Sequence, residues 1–482
     1  VKLNPGTADD PDSGYRSRFS HESESASPGY YAVTLDDTGV RAELTATPRT
    51  GVHRYTFPKD ADGHVVLDLA HGIYNYDGKV LWSTLRVESD TLVTGYHITN
   101  GWARTNYTYF AISFSQPVAD YGYEDRAPIP YNGFWRRFDV NRNFPEMAGR
   151  KVAAYFRFDT RREQELVVKV ALSAVSTEGA VANLRAEAAG RSFDEIAAAA
   201  RKAWNDNMGR FEIEGTEDQR TMFYTSLYHT MINPSVYMDV DGSYRGVDPA
   251  IHRAEGFTNY TVFSLWDTYR AEHPFLNLFF PHRNADMVRS MIAHCDQSVH
   301  HMLPVWSHMG NENWCMSGYH AVSVLADAVA QFLDARAREG ERLGADMLGK
   351  IARIRTLAAE LAAASEEDVR TLRVRFEERL RSLIGQADVQ PDEARIITEC
   401  AVFADRISVD EELVRLSSHL DALEGLLRAD DAVGRKIDFM LQETNREVNT
   451  VGSKCSNAGM ARLVAEIKNE LEKIREQVQN IE

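Results

Sequence analysis

The sequence predicts a multidomain chain in which a β-sandwich gives way to helices and then to a second, wholly helical unit. Two changes along the chain support that expectation. Up to about residue 190 the chain offers short runs enriched in β-branched and aromatic residues, and from Gly179 its apolar residues recur at helical spacing. Near residue 330 the composition itself breaks. Every Trp and Tyr lies at or before Tyr319, the aromatic residues beyond Gln331 are Phe332, Phe376, Phe403 and Phe439, and Pro391 is the one proline past the break. A Pro- and aromatic-rich chain becomes one rich in Ala, Leu, Glu and Arg, which a single domain rarely does. The expected divisions are 1–190, 191–330 and 331–482, with the last boundary inside 324–332.

In the first part the expected strands are Tyr30–Leu35, Arg41–Thr47, His53–Phe57, Val65–Leu69, Lys79–Val87, Thr91–Thr99, Thr108–Phe114, Lys151–Phe158 and Glu165–Ser173. Turn signals such as Asp37-Thr38-Gly39 and Asp77-Gly78 separate them, and many short strands at close spacing favour a sandwich. Helices are expected next over Ala180–Ala189, Ser192–Met208, Asp218–Asn233, Asn284–Gln297 and Gly318–Ala330. Past the break, Leu and Ile recur every three or four residues through the charged stretch Phe332–Ala364. Glu366–Ile384, Pro391–Asp405, Val409–Arg428, Val433–Thr450 and Asn457–Ile481 follow across short loops, the pattern of an antiparallel bundle or coiled-coil hairpin. Its charge runs read mostly as solvated faces.

Charge and cysteine content narrow the function classes. The 482 residues include 54 basic and 71 acidic ones, a net of −17, which argues against coating nucleic acid through bulk charge. Residues 331–482 hold 23 basic and 30 acidic residues, so both parts are acidic. A local basic or metal-bridged RNA site stays compatible with that balance. No run of about 18 apolar residues exists, so no membrane partner is expected. The chain begins at Val1 without a signal-peptide pattern, so its N-terminus is expected to be processed or incomplete. Cys295, Cys315, Cys400 and Cys455 lack CxxC spacing and read as buried free thiols.

Several strings in the first part are specific. They are Tyr15–Pro28 (YRSRFSHESESASP), Ala42–Pro58 (AELTATPRTGVHRYTFP), Val167–Leu184 (VVKVALSAVSTEGAVANL), Arg220–Pro234 (RTMFYTSLYHTMINP), Phe263–Pro274 (FSLWDTYRAEHP) and Pro304–Ala321 (PVWSHMGNENWCMSGYHA). Through them, residues 13–327 resemble family 92 glycoside hydrolases, the calcium-dependent exo-acting α-mannosidases. The resemblance implies a β-sandwich followed by an α/α barrel, here partial, with the sugar site between them. It implies Trp266 as a sugar platform and Asp267 as a hydroxyl acceptor, with Glu312, Trp314 and His308 as further contacts to an α-mannoside or a mannose-containing glycan. Ordinary core is the competing reading for Trp314 and Cys315, and a structural role for His21 and His53. Inverting hydrolysis needs an acid and a base roughly 6.5–9.5 Å apart. In this family both, with most of the calcium support, come from later barrel helices, which should follow Ala330 and do not. The start is also shorter than the family's, since Val1–Pro5 passes directly to Tyr15. The first part is therefore expected to bind sugar without the catalytic pair.

The second part has its own strings: Phe332–Leu343 (FLDARAREGERL), Asp410–His419 (DEELVRLSSH), Gly434–Lys454 (GRKIDFMLQETNREVNTVGSK) and Leu463–Glu482 (LVAEIKNELEKIREQVQNIE). They resemble the C-terminal half of YicC-like proteins, metal-dependent endoribonucleases that form ring-like oligomers. The family's N-terminal half has no counterpart here. Glu412, Arg415 and His419 fall at i, i+3 and i+7, on one helix face. The next helix is dense in polar groups: Asp438, Gln442, Glu443, Asn445, Arg446, Glu447 and Asn449. RNA cleavage needs a cation for the phosphate and a base or metal-activated water. A Glu412–His419–Glu443–Glu447 cluster meets that need, with Glu443 and Glu447 on manganese or magnesium and Arg446 on phosphate. A buried polar network setting helix register, or a homo-oligomer contact through these helices, is the competing reading. A third reading keeps neither activity and treats the chain as an accidental or constructed join, with residual mannoside binding and helical oligomerisation. The first family is exported and the second cytoplasmic, and that conflict favours such a join.

Overall fold

A computed structural model describes the chain except residues 8, 60–61, 73–75, 128–144, 387–391, 430–432, 456 and 480–482. It forms two compact units, Val1–Ala330 and Gln331–Glu482.

The first unit opens with twelve strands. They are β1 (Ser25–Ser27), β2 (Tyr30–Thr34), β3 (Arg41–Ala46), β4 (Thr50–Thr56), β5 (His64–Asp68) and β6 (Val80–Val87). There follow β7 (Leu92–Thr99), β8 (Asn106–Phe114), β9 (Asp120–Asp125), β10 (Glu146–Gly149), β11 (Val152–Arg157) and β12 (Glu165–Ser173). One nine-stranded antiparallel sheet runs β1-β2-β3-β4-β12-β8-β7-β6-β10 and a smaller one runs β5-β11-β9. Between them lies a core that includes Phe110, Ile112, Phe114, Phe156, Phe158, Leu166 and Val168. The period-two alternation of a strand sends Phe110, Ile112 and Phe114 inward and Ala111 outward. Ala111 and Ala171 meet Ala180, Leu184 and Ala188 of helix α1 (Thr177–Ala188), so small side chains let a helix lie close on the outer face.

Helix α2 (Phe193–Met208) starts at a capping box in which Ser192 and Glu195 satisfy each other's backbone N–H groups. Helix α3 (Glu217–His229) starts the same way, with Thr216 and Gln219. Short ladders follow, and one joins Phe263–Ser264 to Trp306–His308, which pairs in turn with Asn311–Glu312. Between them are a single turn, α4 (Leu265–Thr268), and helices α5 (Glu272–Phe279) and α6 (Pro281–Gln297). Phe263, Leu265, Leu276, Phe280, Met287 and Met291 form the local core.

Sequence periodicity missed β9 and the shorter β1 and β10, and it missed α4 and α5. It also divided one helix into three. The segments expected at Gly318–Ala330, Phe332–Ala364 and Glu366–Ile384 are a single helix, α7 (Ala321–Gln386). No proline interrupts it, and Ser365, the one non-helix-former between Ala364 and Glu366, is buried rather than turned out to solvent.

Helices α8 (Glu393–Ile407), α9 (Asp410–Leu427), α10 (Gly434–Lys454) and α11 (Ala458–Val478) complete the second unit. Pro391, the expected start of the third helix past residue 330, and Ile481, the expected end of the last, lie outside the described residues. One core unites Met347, Ile351, Ile354, Leu357 and Leu361 of α7 with Leu416, Leu420 and Leu423 of α9 and Ile437, Leu441, Val448 and Val451 of α10. Met460, Val464, Ile467, Leu471, Ile474 and Val478 of α11 join it at steps of three and four residues, the stripe of a bundle helix. Phe403 of α8 stacks on Phe376 of α7 with ring centroids 4.4 Å apart. All four cysteines are free, and no described helix is long and apolar enough to cross a membrane.

The continuity of α7 gives a direct test. Gly349 lies mid-helix, and a Cβ built there meets nothing within 4 Å. Gly349→Ala should therefore stabilise the helical unit by about 0.5–1 kcal/mol, because Gly loses more backbone entropy in a helix than Ala. A thermal melt followed by far-UV circular dichroism reads this, and a lowered midpoint would count against an uninterrupted helix.

Candidate functional site

The site of the first unit is built on two anchored segments. Phe263 and Leu265 are fully buried on either side of Ser264, which fixes the turn α4 from below and leaves Trp266 and Asp267 exposed. The Ser264 hydroxyl donates to the Asp267 carboxylate, and the Thr268 hydroxyl donates to the Ser264 carbonyl at 3.3 Å. Ser264 is the register partner of Trp306, so the Trp266 turn rises beside the Trp306–Glu312 hairpin.

Glu312 holds that hairpin together. Its carboxylate accepts from the N–H groups of Val305 at 2.9 Å, Trp306 at 3.0 Å and Trp314 at 2.9 Å, and lies 3.4 Å from His294 Nε2. Burial by itself would raise its pKa, but His294 and the three backbone donors outweigh burial and hold the carboxylate below its ordinary value. Glu312 is thus a largely buried anchor whose two oxygens are already engaged. The backbone around it is strained. Val262, His301, Met309, Trp314 and Met316 have φ between 46° and 70°, a conformation that costs about 1 kcal/mol or more in a residue with a Cβ. Tertiary bonds hold these positions, among them the 2.7 Å bond from Met309 N–H to the Thr261 hydroxyl.

The result is an aromatic surface. Trp266 and Trp314 are each a little under half exposed, and Trp102 is more so. Trp102, from the turn between β7 and β8, lies with its ring 4.9 Å from that of Trp306. Asn311 ties this turn to the hairpin by donating to the Thr105 carbonyl at 3.1 Å. His308 packs edge-on to Trp306 at 5.8 Å, its Nδ1 is buried without a partner, and burial lowers its pKa. Indole faces suit the apolar face of a pyranose, and the exposed Asp267 suits its hydroxyls. Sequence reasoning named Trp266, Asp267, Trp314, His308 and Glu312 but missed Trp102, Trp306 and Glu272. Trp306 and Glu272 stand inside two of the specific strings, so only the lack of a spatial partner hid them. Trp102 follows Gly101 in a turn, which no periodicity marks.

Glu272 is the chemically unusual group here. Burial first, then the negative charge of Asp267, pushes its carboxyl up to about 7. One of its oxygens is enclosed and has no hydrogen-bond partner.

In the second unit the candidates fall on α9 and α10. Glu412 is buried and salt-bridged to Lys454 at 3.0 Å, and Lys454 also donates to the Ser408 carbonyl at 2.8 Å. Glu447 is buried with Arg415 4.0 Å away, and Arg415 also pairs with Glu411 at 2.7 Å. Glu443 is half-buried beside the exposed Arg446, 3.7 Å apart. His419 is half-buried on α9. The two helices thus bring acids to bases rather than four acceptors to one centre. Among the described residues, no three His, Cys, Asp or Glu side chains converge into a group able to hold a metal ion.

Comparison with known proteins agrees with the two units. Residues 1–173 match the N-terminal domain of glycosyl hydrolase family 92, and residues 179–348 match its catalytic domain. Residues 361–482 match the C-terminal region of YicC-like endoribonucleases. The chain joins a family 92 segment to a YicC-like segment. Among solved structures, the family 92 α-mannosidase BT3965 of Bacteroides thetaiotaomicron superposes with a TM-score of 0.63 at 44% identity, covering 69% of this chain and 44% of that one. The inverting mannosidase BT2199 of the same organism superposes at 0.57 with 30% identity, covering 65% of this chain and 40% of that one. The probable endoribonuclease YicC of Clostridioides difficile is 40% identical over 156 residues, which is 32% of this chain and 53% of that protein. The Haemophilus influenzae counterpart is 38% identical over the same length and shares. The chain thus spans about half the length of the relatives it matches on either side.

Two substitutions test the placement of these groups. For Glu272 the folded pKa, about 7, lies above the ordinary 4.5. Below pH 4.5 the group is protonated in both states and costs nothing. As pH rises towards 7 the unfolded chain ionises first, and stability is lost. Glu272→Gln in the family 92 segment should therefore change little at pH 4 and stabilise by about 1–2 kcal/mol above pH 7, allowing for partial exposure. Denaturant midpoints across pH check the trend, and a pH-independent difference would refute it. In the YicC-like segment, Glu412→Ala strands a partly buried lysine and should lower stability by about 1–3 kcal/mol. Glu443→Gln should change it by under about 0.5 kcal/mol, because its partner Arg446 is exposed. Equal losses in the two variants would show that Glu412 is not the anchor.

Proposed function

We propose that the family 92 segment binds terminal α-mannosides on the surface of Trp266, Asp267, Trp314 and Trp102, without hydrolysing them at the rate of a complete family member. The observation that supports this most is the anchored turn at Ser264, which presents an indole and a carboxylate side by side to solvent. BT3965, to which this segment is similar, has also been solved in complex with mannoimidazole. Hydrolysis needs two carboxyl groups facing one glycosidic bond. Here Asp267 is exposed, but Glu312 has both oxygens bonded and Glu272 has one oxygen enclosed. Asp267 would accept hydrogen bonds from ring hydroxyls while the indoles exclude water from the opposite face of the sugar.

The metals implied by the two families do not fit these residues as they are arranged. Calcium takes about six to eight oxygen ligands, and the Glu312 oxygens are already taken up by backbone donors. Of the two carboxylates expected to hold manganese or magnesium in the YicC-like segment, Glu447 faces Arg415 at 4.0 Å and Glu443 faces Arg446 at 3.7 Å. We read that segment as a helical scaffold whose Glu412–Lys454 pair sets the register of α9 against α10, rather than as an RNA-cleaving centre complete in itself.

Titration with methyl α-mannoside or mannoimidazole, followed by tryptophan fluorescence, should saturate, and Trp266→Ala should weaken binding at least tenfold. No mannose should be released from an α-1,2-mannobioside with calcium present, and no RNA should be cut with manganese present. Calcium-dependent mannose release would overturn the reading of the first segment. Manganese-dependent cleavage lost in Glu443→Gln at an unchanged thermal midpoint would overturn that of the second.

A further inference from the structure

One end of the sandwich gathers strand ends from both sheets. β5 stops at Asp68, β9 stops at Asp125, β6 begins at Val80, and the turn from β10 to β11 passes through Arg150 and Lys151. β11 pairs Val152 with Asp125 and Ala153 with Asp68, which sets these ends side by side. The Asp125 carboxylate fixes the junction by accepting from the N–H groups of Ala127 at 3.0 Å and Lys151 at 3.1 Å. The Arg126 N–H donates in turn to the Lys151 carbonyl at 3.1 Å. Gly149 lets the turn come this close, since a Cβ there would stand 2.3 Å from Asp125 Oδ2.

These ends surround an open hollow of about 1020 Å³, lined by Lys79, Arg126, Arg150 and Lys151 beside the exposed Tyr76. In a chain of net charge −17, four cations around one hollow are out of keeping with the bulk charge. Two acids share the described lining, and neither neutralises the group. Asp68 pairs with Arg126 at 2.6 Å and also accepts from the Tyr15 hydroxyl at 3.0 Å, so its charge is already engaged. Asp77 meets Lys151 at 3.3 Å but is wholly exposed, where an ion pair holds little. Among the described residues Arg150 has no acidic partner. The Arg126 Nε is enclosed and has no acceptor, which costs stability until one arrives. Cations so gathered repel one another and focus a positive potential into the hollow.

We propose that this end of the sandwich binds a phosphate or sulfate ester of a small organic molecule. Guanidinium and ammonium groups together suit the several oxygens of such an anion, Arg through its fork and Lys as a point charge. A bare oxyanion would leave most of the hollow empty, whereas sites of roughly 300–1,000 Å³ take whole small molecules. Tyr76, whose hydroxyl donates to Asn100 Oδ1 at 2.7 Å, offers a ring to the organic part. The proposal does not rest on the mannoside reading, because none of Trp266, Asp267, Trp314 and Trp102 lines this hollow.

Isothermal titration calorimetry of the full 482-residue chain with phenyl phosphate, phenyl sulfate, inorganic phosphate and phenol tests it. Both esters should bind saturably, more weakly as salt is raised, and inorganic phosphate should bind less tightly than its ester. Phenol should not bind. Arg150→Ala with Lys151→Ala should weaken both esters at least tenfold at an unchanged thermal midpoint, because both residues are exposed. Arg161→Ala with Arg162→Ala removes the same charge from an exposed pair on the turn between β11 and β12, and should leave binding nearly unchanged. Esters that bind no better than phenol would overturn the proposal. So would equal losses in the two double variants, which is the mark of bulk charge attraction rather than a site. Inorganic phosphate bound as tightly as its ester would overturn the assignment to an ester.

Discussion

A largely buried carboxylate organises the aromatic face of the first unit. Glu312 sits at the base of the Trp306–Glu312 hairpin, where burial should expel a charge, and three backbone N–H groups and His294 keep it there. Those bonds fix the carbonyl-to-amide path of residues 305–314, which otherwise runs through several left-handed residues that no side-chain preference supports. The orientations of Trp306 and Trp314 follow from that path, and Trp102 takes its place against Trp306. The turn bearing Trp266 and Asp267 is aligned through the same ladder. A polar interaction thus decides where the aromatic groups stand.

The sandwich supplies the ground on which this rests. Its central strands β8 and β12 bury both faces, with large residues turned to the smaller sheet and alanines turned to α1. Small residues at 111, 171, 180 and 188 let the helix approach closely, and close approach brings the following chain back across the sheet. Asn183 of α1 and Ser173 at the end of β12 both bond to Asp239, which secures the start of the irregular region. Rigid scaffold and irregular, strained loops are thereby separated, as is usual where binding groups are displayed.

The helical unit depends on a different principle. Its cohesion is a leucine- and isoleucine-rich stripe shared by α7, α9, α10 and α11. Acidic groups within that stripe are tolerated because each faces a base: Glu412 with Lys454, Glu447 with Arg415. Removing one partner of such a pair costs more than the pair itself contributes, which favours retention of both and a single register.

Much of this was legible in the sequence. Period-two runs marked nine of the twelve strands of the sandwich, period-3.6 runs marked most helices, and specific strings pointed to Trp266 and Asp267. Such features are local, because a strand or helix declares itself through the spacing of its own residues. The sequence could not reveal that Glu312 turns inward, since the string around it reads the same whether the carboxylate meets sugar or backbone N–H. It could not reveal Trp102 beside Trp306, which lie some two hundred positions apart, or the pairing of Glu412 with Lys454. Nor could it show that α7 runs unbroken, because the composition change near residue 330 and the Ser365 step read as boundaries. What the sequence determined by itself was most of the elements and the two families they resemble. What the tertiary structure decided was which polar groups remain available for chemistry, because availability depends on the neighbours that folding brings to each side chain.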